Sequence, residues 1–377
     1  MKLRFAHIFL AFAAGLLASC NIYTNQDDAA DCGVAGMEGM SVNFTISAGS
    51  PAGYGTRASS FDAPSLENGT EWESHIDISG GDYLFYLFDA DGIFREILNV
   101  KDVRSAGNGN YVVRADARED YNEFTIVALA NWRTQTWNLV NSGNPYPVLT
   151  KGRSTIDEIW TGTAGLRVYD ASSRTFTPSE TSRIPMYGAR TYSLNDSAFN
   201  YEEISLGSIY LIRALAKIDV MVAQGSGVTL NSVQLNCFSN SFHCAPVGMT
   251  AMDDEWDQTT DDTMNMNLLQ ESFSPSSLEF TKIEDNLYRI YVPEYPNRRA
   301  DVKKATISVA MSKGTSHMGG LISFEGLQTP SSTEKTTLNI LRNNYYKFII
   351  TGVTEYETNI VVDVVPFDNV KNDLVFE

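Results

Sequence analysis

Near the start of the chain the sequence runs Val42-Asn43-Phe44-Thr45-Ile46, in which apolar and polar residues alternate. Successive side chains of a β-strand point to opposite faces, so this period of two predicts a strand that buries Val42, Phe44 and Ile46. Residues 49–60 follow and are rich in Gly and Ser, with Arg57 near their end. That composition predicts a long surface loop with an exposed arginine.

The residues ahead of this strand predict export. A positively charged start precedes an apolar run, and the run ends at Leu17-Ala18-Ser19-Cys20. Such a pattern is typical of a secretory signal and is too short to span a membrane. It also fits the lipobox of bacterial lipoproteins, so we expect residues 1–19 to be a signal peptide and Cys20 to carry acyl chains. The alternative is an ordinary secretory signal with a chance cysteine.

A lipidated Cys20 places the protein at the outer membrane and cell surface. Residues 20–39 are polar and rich in Asp and Gly, which predicts a flexible tether. The net charge of -18 argues against nucleic acid as a partner, because binding to phosphates depends on Lys and Arg. An acidic surface is compatible with an extracellular protein.

Beyond the first strand, short apolar runs recur between clusters of Gly, Asn, Asp and Ser. Many short strands with few amphipathic helices favour an all-β fold made of β-sandwiches. One short helix is expected within residues 154–160. The run at 207–222 is long enough to pass from one domain into another. The predicted strands cover residues 83–88, 111–114, 123–130, 184–188, 207–222, 228–235, 286–292, 303–311, 344–353 and 359–367.

Two cysteines in the second half lie seven residues apart. Cys237 and Cys244 could close a small disulfide loop in an oxidising compartment, or they could be buried free thiols. A metal site is not expected, because no second pair of ligands stands nearby. Asp89 and Asp91 precede Gly92 as in a calcium loop, but Ile93 and Phe94 follow where oxygen ligands are needed, which favours a turn.

Six segments together resemble the Bacteroidota fimbrillins, the lipoprotein pilins of type V pili, and their related tip and anchor subunits. The resemblance implies two tandem β-sandwich domains of the transthyretin-like, Greek-key type. We place these at residues 40–210 and 211–377, after the signal and the tether. The segments are residues 82–92, 124–131, 184–188, 211–220, 291–295 and 341–348.

The resemblance also implies a maturation step. In the family a trypsin-like protease cuts after an arginine in the loop that follows the first strand, which here corresponds to the bond between Arg57 and Ala58. The first strand, with Val42, Phe44 and Ile46, would then leave and expose an apolar groove. A strand from a neighbouring subunit fills such a groove in donor-strand assembly. The implied partners are other fimbrial subunits, the protease, and the outer membrane through the lipid.

The best candidate for the donor strand lies at the C-terminal end. Residues 359–367 alternate so that Ile360, Val362 and Val364 share one face. The same run could simply be the last strand of the second domain. Both interpretations hold if the strand is released on polymerisation.

No enzyme motif is present in the sequence. There is no HExxH, P-loop, GxGxxG before a helix, or GxSxG elbow, so we expect neither catalysis nor a cofactor. The leading hypothesis is a fimbrial subunit serving adhesion, with an unpolymerised tip or anchor subunit as one alternative. The other is a surface glycan-binding lipoprotein, in which exposed Trp132, Trp137 and Trp256 would stack on sugars.

Overall fold

The computed structural model describes residues 39–48, 72–107, 109–133, 138–139, 144–169, 175–246, 273–327, 335–353 and 358–366. Regular structure in these ranges is almost entirely β, which confirms the predicted class. The short helix expected within residues 154–160 forms as α1, Asp157–Thr161. Two 3-10 turns span Thr163–Gly165 and Asp196–Asn200.

Two sheets form a sandwich in the first half of the chain. The four-stranded sheet has the order β10-β1-β5-β4, with β1 Ser41–Ser47, β4 Asn99–Gly107, β5 Asn110–Asp116 and β10 Ile204–Tyr210. The five-stranded sheet has the order β11-β9-β6-β2-β3, with β2 Tyr83–Asp89, β3 Phe94–Ile97, β6 Glu123–Ala130, β9 Met186–Ser193 and β11 Ile212–Arg213. Apolar side chains from both sheets share one buried core.

A second sandwich follows. Its five-stranded sheet has the order β16-β17-β12-β22-β23, with β12 Ala216–Val222, β16 Thr281–Glu284, β17 Leu287–Val292, β22 Asn344–Val353 and β23 Thr358–Pro366. Its four-stranded sheet has the order β15-β13-β18-β19, with β13 Thr229–Ser239, β15 Phe273–Glu279, β18 Thr306–Lys313 and β19 Ser316–Ser323.

Smaller sheets complete the fold and tie the halves together. One has the order β14-β8-β7, with β7 Asn138–Leu139, β8 Leu166–Val168 and β14 Ser241–His243, and the other pairs β20 Glu325–Leu327 with β21 Lys335–Thr337. Because β8 of the first half pairs with β14 of the second, the halves share hydrogen bonds as well as buried apolar residues. The described residues from Gly39 onward belong to one compact unit, and the domain division at residue 211 stays a prediction.

The predicted run at 207–222 is not one strand. Within this run β10 ends at Tyr210, and the short β11 follows and pairs with β9. β12 then begins at Ala216 in the second sandwich. The intervening Ala214 and Leu215 are fully buried. The chain therefore crosses between the sandwiches through the protein interior, which positions Arg213 at their junction.

Candidate functional site

The first strand lies inside its sheet. β1 pairs in parallel with β10 on one side and antiparallel with β5 on the other. Val42, Phe44 and Ile46 are 0%, 2% and 0% exposed, which confirms the strand and its buried face. A strand in this position is held by hydrogen bonds along both edges and by its apolar face.

The apolar face of β1 fills the core of the first sandwich. The ring of Phe44 meets that of Phe85 in β2 edge to face, with centroids 5.1 Å apart. Fully burying a side chain of this size is worth about 1.5–3 kcal/mol. Loss of β1 would therefore leave an apolar groove between β10 and β5 and two rows of unpaired backbone groups.

The end of β1 is bound by a buried arginine. Arg213 has no exposed surface, and its Nη2 donates to the carbonyl oxygen of Ala48 at 2.6 Å. Its Nε donates to the carbonyl oxygen of Glu73 at 2.8 Å, and its Nη1 to Oδ1 of Asn343 at 3.2 Å. One guanidinium thus joins the residue after β1, the chain that resumes after the Arg57 segment, and the second sandwich.

The side chain of Glu73 continues this buried junction. Its carboxylate lies 3.1 Å from Nζ of Lys217 in β12 and accepts a hydrogen bond from the hydroxyl of Tyr291 in β17. All three side chains are buried. Burial and the adjacent Glu73 carboxylate raise the pKa of Tyr291 well above its ordinary value, so this hydroxyl remains a donor.

Two further ion pairs are buried in the second half. Arg289 binds Asp219 through two hydrogen bonds of 2.7 Å, and the hydroxyl of Tyr345 donates to the same carboxylate at 2.6 Å. Arg342 lies 2.7 Å from Glu294 and donates to two carbonyl oxygens beside β14. These charges satisfy one another, as buried ions must if they are to remain ionised.

The segments that carry the family resemblance contribute most of this junction. Arg213, Lys217 and Asp219 all come from the segment 211–220, and the segments 291–295 and 341–348 supply five more residues. Glu73 and Arg289 lie outside these segments. Charged residues within apolar runs were the available signal, and their partners could not be assigned from sequence. Glu73 was missed, since nothing in its surrounding sequence distinguishes it.

The close packing around Gly188 requires a glycine at the end of another of these segments, residues 184–188. A Cβ added at this position would lie 2.3 Å from the carbonyl oxygen of Tyr210 and 2.8 Å from Leu211. Only glycine lets β9 approach the end of β10 so closely.

The structure agrees with the second alternative left open for the two cysteines. Cys237 and Cys244 are both buried free thiols. Cys237 lies at a bulge in β13 with φ of 65°, whereas Cys244 follows β14, and its N–H donates to the carbonyl of Gly165. Their backbones are thus fixed by different sheets.

The suggested sugar-binding role of Trp132 is wrong. Its side chain is 1% exposed, and Nε1 donates to the carbonyl oxygen of Met186 at 2.9 Å. Such a ring has no free face for a glycan. Trp137 and Trp256 lie outside the described residues.

Several other predicted residues also lie outside the described ranges. They are Cys20, Arg57 and Ala58, together with the side chains of Ile360, Val362 and Val364. The backbone of β23 is described, and it pairs antiparallel with β22 from Thr358 to Pro366. Within the described part of the chain, no helix has the length and apolar character needed to cross a bilayer.

The turn at Asp89 forms as predicted. Oδ1 of Asp89 accepts hydrogen bonds from the backbone N–H groups of Asp91 and Ile93 at 3.0 and 2.9 Å. The second carboxylate oxygen binds Nε of Arg95 at 2.6 Å. The carboxylate therefore closes a turn, in the manner of an Asx motif.

Comparisons with known proteins place these features beside solved structures. No protein-family model matches the sequence, and no curated protein matches it. The tip fimbrial protein Mfa3 from Porphyromonas gingivalis is 12% identical with a TM-score of 0.47, over 86% of this chain and 99% of its own. A candidate cell adhesion protein from Parabacteroides distasonis is 18% identical with a TM-score of 0.45, over 88% and 98%. The chain is also similar to the fimbrial anchor protein Mfa2 from P. gingivalis, at 10% identity and a TM-score of 0.32, over 87% and 99%.

Proposed function

We propose that this protein is a non-enzymatic structural subunit of a bacterial fimbria of the type V pilus kind. It is exported as a lipoprotein through Cys20, reaches the outer membrane and the cell surface, and serves adhesion. Cleavage after Arg57 by a trypsin-like protease frees β1, and a strand from another subunit takes its place.

The observation that supports this proposal is the position of β1. β1 lies between β10 and β5 with its apolar face fully buried, so its departure would open a groove within the sheet and not at its edge. Arg57 follows β1 by ten residues in sequence, so one cut there separates the strand from the rest of the chain. The vacated groove would bind an extended apolar strand through backbone pairing.

The C-terminal strand has the properties that a donor requires. β23 is the last strand of its sheet's order and pairs with β22 alone among the described strands. Its release therefore breaks one row of hydrogen bonds and leaves the other strands of that sheet paired. Its sequence alternates Ile360, Val362 and Val364, matching the spacing of the residues that β1 buries.

Limited proteolysis tests this function. The mature, delipidated chain is treated with a low dose of trypsin, beside Arg57→Gln and, as a matched control, Arg153→Gln, which changes an arginine that the structure shows to be exposed. We expect wild type and Arg153→Gln to be cut first after Arg57 and then to form SDS-resistant ladders. Arg57→Gln should remain uncut and monomeric.

Two outcomes would contradict the polymerising role. If the first cut falls elsewhere, Arg57 is not the maturation site. If the cut chain stays monomeric with residues 40–57 still bound, strand replacement does not occur, and an anchor or tip subunit is favoured instead. Mass spectrometry of the released fragment distinguishes these results.

A further inference from the structure

The buried apolar face continues one residue past the end of β1. Ala48 follows Ile46 at the same spacing of two residues, and it is 4% exposed within the same core. A replacing strand is therefore enclosed by the sandwich up to this position, where its backbone carbonyl needs a hydrogen-bond donor.

Arg213 supplies this donor. At the end of the groove its Nη2 binds the carbonyl oxygen of Ala48 at 2.6 Å. Next to it, the N–H of Ala48 donates to Gly109 O at 3.0 Å, and the carbonyl of Ser47 accepts from Leu211 N at 2.7 Å. A strand that ends before this position supplies no carbonyl oxygen there, and Nη2 then lacks this acceptor.

The guanidinium keeps its orientation when β1 leaves. Glu73 lies C-terminal to Arg57 and so remains with the cut protein, where its carbonyl accepts from Nε at 2.8 Å. Asn343 Oδ1 accepts from both Nη1 and the backbone N–H of Arg213, each at 3.2 Å. The vacated groove therefore ends in a fixed, buried, charged donor. Leaving such a donor without the acceptor that it loses is costly.

We propose that Arg213 is a binding determinant for any strand that occupies the β1 position, because it binds the backbone carbonyl oxygen that the strand places at the end of the groove. The ligand is an extended peptide that is long enough to place a carbonyl oxygen at the position of Ala48. This inference rests on the proposed replacement of β1 and adds a residue that binds the replacing strand.

The test uses peptides that differ in one carbonyl group. A recognition site for a sequence-specific protease is placed after Ala58 of the full chain, so that cutting does not depend on recognition of Arg57. The fragment that contains β1 is removed in mild denaturant, and the protein is refolded with a peptide of residues 40–48 that ends in an amide. The second peptide contains residues 40–47 and ends in an N-isopropyl amide, which keeps the N–H, Cα and Cβ of Ala48 and lacks its carbonyl.

In the wild-type protein we expect loss of the carbonyl to weaken binding about 10- to 100-fold, as for hydrogen bonds to charged groups. In Arg213→Met the two peptides should bind equally, and Arg213→Lys should give a smaller difference than wild type. Arg95→Met removes an arginine that pairs with Asp89 and leaves Arg213 and its acceptors in place. It is the control, in which the discrimination should persist. Equal weakening in wild type and Arg213→Met would overturn the proposal.

A second measurement needs no variant. The side-chain N–H groups of Arg213 should be protected from hydrogen exchange with the longer peptide and less protected with the isopropyl amide, and equal protection counts against the proposal. A different result is expected if the proposed function is wrong. The fragment that contains β1 would then stay bound to the cut chain without denaturant. The difference in affinity between the two peptides after refolding would still test the role of Arg213.

Discussion

At the scale of single residues, His243 is a buried base whose charge state affects stability. The side chain lies at the end of β14 and is 7% exposed, and within the described residues its Nδ1 has no hydrogen-bond partner. Burial, reinforced by the positive charge of Arg342, lowers its pKa from 6.5 to about 4. The imidazole is therefore neutral at pH 7.

This shift predicts acid sensitivity. Between pH 6.5 and pH 4 the unfolded chain binds a proton at this histidine and the folded chain does not, so stability falls as the pH falls. The loss should reach about 3 kcal/mol near pH 4. Urea unfolding at pH 7 and pH 4 should show wild type losing more stability than His243→Gln by roughly this amount.

The matched control is His317, which is exposed in β19. His317→Gln should retain the pH dependence of the wild type, because the buried histidine is still present. If His243→Gln and His317→Gln lose stability on acidification to the same extent, the assignment to His243 is incorrect.

At the scale of strands, Asp219 and Arg289 join β12 to β17 through a buried ion pair. The two residues are direct cross-strand partners, and each is at most 1% exposed. Removing one member of a buried pair leaves an uncompensated charge, which costs about 3–5 kcal/mol. We expect Arg289→Met to lower the free energy of unfolding by this amount in chemical denaturation.

The double variant Asp219→Leu with Arg289→Met separates charge from packing. It should recover much of the loss, because no buried charge remains without a partner. The exposed pair of Arg114 and Glu203 provides the comparison, with Nε 2.6 Å from Oε1. Arg114→Met should have a far smaller effect. A double variant as unstable as Arg289→Met would show that the ion pair is not the cause.

Central strands were predictable from the sequence, and polar edge strands were not. The predicted runs at 123–130 and 344–353 coincide with β6 and β22, since both are flanked by strands on two sides and have buried apolar residues. β4 and β19 were missed. Each lies at a sheet edge with mostly polar or small residues, so its conformation depends on its neighbour and not on its own apolar pattern.

At the scale of the molecule, the junction between the sandwiches could not be predicted because its partners are distant in sequence. Arg213 binds a carbonyl 165 residues away, and Tyr291 donates to a carboxylate 218 residues away. The apolar face of β1 was recognisable from five residues, but the buried charges beside it meet their partners only when the chain folds. The candidate groove could therefore be predicted from the sequence, whereas the position of Arg213 at its end could not.

The net charge of -18 predicts how copies of the proposed subunit associate. In the proposed lipoprotein, removal of the signal peptide would take away Lys2 and Arg4 and leave the mature chain still more acidic. Subunits of like charge repel, and the repulsion extends about 30 Å at 0.01 M salt and about 10 Å at 0.1 M. Approach of a second subunit should therefore limit assembly at low ionic strength.

We expect the initial rate of ladder formation by the cut protein to rise several-fold between about 10 mM and 150 mM NaCl, because screening removes the repulsion. Light scattering at constant protein concentration measures this rate.

An uncharged peptide of residues 358–366 carrying Asp363→Asn isolates strand uptake from subunit repulsion, and its uptake should change little over the same range. If the assembly rate is constant or falls with salt while peptide uptake is also constant, repulsion between acidic subunits does not control assembly. If both rates rise together, the salt acts on the groove itself and not on the encounter.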